Sequence, residues 1–123
     1  MTNKTQSDRA LLELAAKAGG IRLVRWNDGG EPYSSGPGFI LPGNRIWNPL
    51  TAADAMDLAA RLRVDVTHNH PADQDAWVCA EPAAGHHGML LSAMEDVPDE
   101  ARRLDCMCRA ITRAAAAVGE AMP

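Results

Sequence analysis

Leu11, Leu14, Ala15 and Ala18 recur at helical spacing and leave Glu13 and Lys17 outside, the pattern of a helix with one apolar face. Ser7 is the expected cap, Asp8 sits in the first turn and Gly19-Gly20 ends the helix after Ala18. Residues 1–6 are polar and read as a loose N-terminus. Ile21 to Trp26 predicts a strand stopped by the turn Asn27-Asp28-Gly29-Gly30. The following EPYSSGPGFILPGNRIW is rich in Gly and Pro and predicts a loop around a short strand at Gly38 to Leu41. A second helix starts at Asn48 or Thr51 and runs to Leu62, burying Ala55, Met56, Ala59 and Leu62. If Asn48 caps it, Pro49 takes the first helical position, where a missing N–H costs nothing. Arg63 to His70 reads as a strand with Val64, Val66, His68 and His70 on one face. After the turn Pro71-Ala72-Asp73-Gln74, partner strands are expected at Ala76 to Glu81 and at His86 to Ser92. Val97-Pro98-Asp99-Glu100 opens the longest helix, whose stripe is Leu104, Cys108, Ile111, Ala115, Val118 and Met122.

The predicted order is α-β-(β)-α-β-β-β-α. That holds too few βαβ units for a large parallel sheet, so the fold class is α+β: one domain over residues 7–123, a small mainly antiparallel sheet covered by helices. With 46% hydrophobic and 23% charged residues the chain has the composition of a globular domain rather than a disordered one. A net charge of −4 argues against general nucleic-acid binding, which depends on Lys and Arg neutralising phosphates. No apolar run of signal-peptide or membrane-spanning length is present, and three cysteines without framework spacing read as free thiols. The expectation is a cytoplasmic protein of a bacterial cell.

Three stretches work together: LLELAAKAGGI, WNPLTAADAMDLAARL and CRAITRAAAAVGEAMP. In the middle one, Trp47, Asn48, Pro49 and Thr51 couple an aromatic to a helix start, which reads as a structural motif in which Trp47 staples the first turn. The set resembles the phage ABA sandwich domain family of small phage and prophage proteins. The resemblance covers the two ends and the centre of the chain and fits residues 65–95 loosely. It implies a sheet layer between helices and a phage or prophage origin; it brings no activity and no cofactor.

His68 and His70, two apart on a strand, point the same way, and Cys79 with His86 would complete a zinc site across neighbouring strands. The familiar Cys-x-x-Cys and His-Glu-x-x-His spacings are missing, and half-buried strand-end histidines are the alternative. Cys106 and Cys108 do not face each other on a helix and read as small hydrophobes. Ser34, Ser35 and Ser92 lack a nucleophile setting, and there is no phosphate-binding loop, so no catalytic residue is assigned. Arg102, Arg109 and Arg113 line one side of the last helix, a row able to hold a phosphate or carboxylate or simply to face water. Trp26 and Trp77 are candidates to stack on a flat ligand ring, or to fill a core poor in Phe.

The leading expectation is therefore a non-catalytic phage accessory protein that binds a small anionic, nucleotide-like host signal or a host protein. A zinc module or metal-dependent enzyme and a purely structural or assembly protein are the rivals. The Ala-rich stripe on the last helix predicts self-association, most simply as a twofold dimer.

Overall fold

How closely the helices approach is set by alanine and glycine. In the computed structural model, which describes residues 4–29, 37–83 and 91–123, the helices are α1 (Lys4–Gly19), α2 (Ala52–Leu62) and α3 (Arg103–Ala121). Helix α3 lies at the centre, against α1, α2 and the second of two sheets. Its Cys108, Ala110, Ile111, Ala114, Ala115 and Val118 are buried. At Gly119 the backbone of α1 comes so near that a Cβ there would lie 2.0 Å from the Leu14 carbonyl oxygen. This corrects the expected dimer stripe: α1 covers its far end within the same chain, and Lys17 donates to the Met122 carbonyl at 3.0 Å. Leu104, assigned to that stripe, is instead exposed. Helix α1 also begins at Lys4, before the expected Ser7 cap.

The first sheet has strands β1 (Arg25–Asn27), β2 (Gly38–Ile40) and β3 (Ile46–Trp47), antiparallel in that order. Register puts Trp26, Phe39 and Trp47 in one cross-strand row, and both Phe39 and Trp47 reach the core. A Cβ at Gly38 would meet the Trp47 carbonyl oxygen at 2.6 Å, so glycine is what lets β2 close on β3. Strand β1 is shorter than expected and includes Asn27, which is buried; the expected turn runs on to Gly30, outside the described residues. The two-residue β3 was not anticipated in the loop reading.

Thr51 holds the N-cap position of α2 with extended backbone, but its side chain caps nothing. Its hydroxyl donates to the Asn48 carbonyl at 2.6 Å. Asn48 instead organises the approach: its Oδ1 accepts from Leu50 N–H at 2.9 Å, and its Nδ2 donates to the Pro37 carbonyl. Pro49 is buried and precedes the helix, so the first-position reading is corrected. Asp54 ties the segment down, accepting from Asn48 N–H at 2.8 Å and pairing with Arg45 at 2.9 Å. The buried face is Ala55, Leu58, Ala59 and Leu62, so Met56 points outward, against expectation. Arg63 adopts a left-handed conformation (φ 52) and closes the helix with its N–H, where the sequence predicted the start of a strand.

The second sheet has strands β4 (Asp65–His68), β5 (Trp77–Glu81) and β6 (Ala93–Asp96), antiparallel in that order. The third strand falls after the expected His86 to Ser92; residues 86–90 lie outside the described residues, and Leu91 and Ser92 are not in a strand. Alternation sends Val78, Ala80 and Ala93 inward, where they are buried in the core with α3. Thr67, Cys79 and Met94 form the opposite row, with Trp77 beside it. The fold is α+β, with two small antiparallel sheets in place of one. Among the described residues α3 covers one face of the second sheet and no helix covers the other, so a sheet between helices is not formed there. No described helix is long and apolar enough to cross a membrane.

Candidate functional site

The arginine row divides into two staples and one open side chain. Arg109 reaches Asp8 of α1 at 3.4 Å. Arg113 pairs with Glu95 of β6 and donates to the Met94 carbonyl at 3.0 Å. Arg102 ends the single 3-10 turn before α3 and is exposed. A hollow of about 380 Å³ lies beside the row, and Asp96, Asp105 and Glu95 line it together with Arg102 and Arg109. Carboxylates outnumber guanidinium groups there, so the field does not favour a small anion.

The guanidinium at the centre of a polar network is Arg103, which the sequence reading passed over. Its Nε and one terminal nitrogen donate to the two Glu100 oxygens, each at 2.8 Å. It also donates to the Asn69 Oδ1 at 2.8 Å and the Trp77 carbonyl at 3.1 Å. Asn69 Oδ1 accepts the Trp77 N–H at 3.0 Å as well. The start of α3 is thereby tied to the ends of β4 and β5, and the backbone of Trp77 is held from both sides. Those hydrogen bonds hold the Glu100 carboxyl below the usual carboxylate range and raise the Arg103 guanidinium further.

Arg103 also sits 2.9 Å from His68 Nδ1. A guanidinium only donates, so Nδ1 accepts and the imidazole proton belongs on Nε2. His70 Nδ1 accepts from Ala72 N–H at 3.0 Å, in the turn beyond β4. Thr67 pairs with Cys79, and His68 with Val78. Cys79 and His68 therefore point to opposite faces of the sheet. The structure separates these two candidate zinc ligands, and His86 lies outside the described residues. No group of three His, Cys, Asp or Glu side chains among the described residues is placed to hold a metal.

The tryptophans part company. Trp26 packs edge-on against Phe39 with ring centroids 5.0 Å apart, and Arg9 stands 5.9 Å over its ring. Trp26 also lines a small hollow of about 60 Å³ with Asp8, Leu12, Pro37, Asn48 and Leu50. Trp47 is fully buried. Trp77 lies half-buried on the outer face of the second sheet, beside Met94, which is 57% exposed. An open hollow of about 710 Å³ runs from there over Asp75, Asp96, Pro98 and Glu100. Alternation within WVCAE was the available signal: buried Val78 and Ala80 oblige Trp77 and Cys79 to face outward.

All three cysteines are free, Cys79 and Cys106 half-buried and Cys108 buried. Burial, then the nearby Asp105 charge, pushes the Cys108 thiol up, which lowers its thiolate fraction and its reactivity. Native protein treated with a maleimide at neutral pH should therefore gain two adducts, at Cys79 and Cys106, and a third after unfolding. Intact-mass measurement checks this. Equal labelling of Cys108 in the native state would contradict its burial on the inner face of α3.

Comparison with known proteins returned no matching family model, no matching curated protein and no matching solved structure.

Proposed function

We propose that this is a non-catalytic accessory binding protein that docks another macromolecule on the outer face of its second sheet. The setting is the one the sequence resemblance implies, a phage or prophage product in the cytoplasm of a bacterial host. Of the two ligand classes expected from sequence, a protein partner is favoured over a small anion. One observation carries this: Trp77, Cys79 and Met94 stand together on a sheet face that no described helix covers. Exposed apolar surface on a small domain costs stability and solubility, and marks interaction sites. Two of the three arginines in the row, by contrast, are already committed, since Arg109 and Arg113 bind carboxylates of the same chain.

A photo-crosslinking amino acid at Thr67, on the outer face, tests the reading against one at Asp57 on α2. Cells of the host should yield a discrete adduct from position 67 and none from position 57, and the purified adduct partner should bind wild-type protein. Thermal shift with a nucleotide panel at millimolar concentration should leave the melting temperature unchanged. A nucleotide-dependent rise that vanishes in Arg102→Ala with Arg109→Ala would overturn the reading in favour of a small anion.

A further inference from the structure

The charges on the outer face are not arranged for the stability of the isolated chain. Asp65 and Glu81 sit directly opposite each other on β4 and β5, and like charges in such a pair repel. At the other end of β5, Trp77 is paired with Asp96, and Asp75 lines the same hollow. Among the described residues none of these four carboxylates has an ion-pair partner, whereas Asp8, Asp54 and Glu95 on the other surfaces each hold an arginine. The face is thus apolar along its middle and acidic at both ends. From Trp77 to Glu81 the strand of five residues takes four steps, about 13 Å at 3.3 Å per residue.

We propose that the occupant of this face is a basic amphipathic helix of a partner protein. This rests on the functional reading above and names the partner's chemistry. Aliphatic side chains of the helix pack on Trp77, Cys79 and Met94. Lys or Arg residues about 13 Å apart, eight or nine positions along a helix at 1.5 Å per residue, meet Asp65 with Glu81 at one end and Asp96 with Asp75 at the other. One cation lies against the Trp77 ring as well, where a carboxylate and an aromatic face act together. A second copy of this chain set twofold on the same face would bring acidic ends against each other, so a homodimer through this surface is disfavoured.

The probe is a synthetic helical peptide with Lys at positions i and i+8 and Leu between, compared with the same peptide carrying Glu at both. The Lys peptide should bind wild-type protein and shift the amide resonances of Thr67, Cys79 and Met94, with affinity falling as salt rises. Asp65→Lys and Asp96→Lys should each weaken it about tenfold, because each puts a like charge against the peptide. Glu120→Lys, which changes the net charge equally on exposed α3 surface, should leave the affinity unaltered. Asp65→Lys should also raise the melting temperature, since it converts a repulsive pair into an attractive one; this shows that the variant folds. Equal binding of the Glu peptide, equal losses in Glu120→Lys, shifts elsewhere on the molecule, or self-association through this face would overturn the proposal. An acidic or uncharged partner crosslinked from position 67 would overturn it while leaving the functional reading in place. No adduct from position 67 would sink the functional reading and this one with it.

Discussion

Gly119→Ala is expected to destabilise the protein by about 3 kcal/mol or more, at the upper end of what overpacking costs. The direction is the informative part. In an ordinary helix interior the same change stabilises, by up to about 1 kcal/mol, because alanine gives up less backbone freedom on folding than glycine. Here the added Cβ would stand 2.0 Å from the Leu14 carbonyl oxygen and 2.9 Å from its carbon. Both atoms belong to the backbone of α1, so relief requires moving a helix instead of turning a side chain. The penalty extends past the local contact, because Leu12, Ala15 and Ala16 of α1 are themselves buried in or against the core. Urea unfolding of wild type and variant, compared at equal denaturant slope, gives the difference directly. A midpoint unchanged or raised would show that α1 and α3 do not cross at this glycine.

The same crossing shows why some of the fold could be read from sequence and some could not. Local patterns carried the three helices, since apolar spacing and Gly or Pro at the ends are contained within one segment. At the start of α2 the sequence marks the segment Trp47, Asn48, Pro49 and Thr51 but not its bonds: Asn48 and Asp54 do the bonding, and Thr51 only occupies the cap position. Long-range pairing was out of reach. Gly119 reads as a weak spot in a helix until Leu14, more than a hundred positions earlier, is placed against it. Likewise, helical spacing put Arg102, Arg109 and Arg113 on one side but said nothing of Asp8 and Glu95, which lie 101 and 18 positions away from their arginines. Most of the Arg103 network was out of reach for the same reason: Glu100 is three positions away, but the turn-end asparagine, the strand carbonyl and His68 are distant in sequence. Strand parity was the one long-range clue that sequence did contain. Once Val78 and Ala80 are inward, Trp77 and Cys79 are outward. What no single-strand pattern reveals is that Asp65 then faces Glu81, because that depends on the register between strands.

Trp47→Ala is expected to cost about 3–5 kcal/mol, the range for emptying a buried aromatic site. The ring has no exposed surface and belongs to the core cluster with Phe39, Leu58 and Ile111. It joins β3 to the start of α2, so the cavity would open where the first sheet meets the helices. Trp47→Phe separates packing from polarity at the same place. The indole N–H has no hydrogen-bond partner among the described residues, and an unpaired buried donor costs roughly 1–3 kcal/mol of desolvation. Phenylalanine removes that donor while keeping one six-membered ring in the site. The gain offsets part of the lost volume, and Trp47→Phe should therefore retain most of the stability that Trp47→Ala loses. Thermal and urea unfolding of the two variants against wild type measure both numbers. Equal losses in the two would mean that the N–H is satisfied in solution; an unchanged stability in Trp47→Ala would place the ring outside the core.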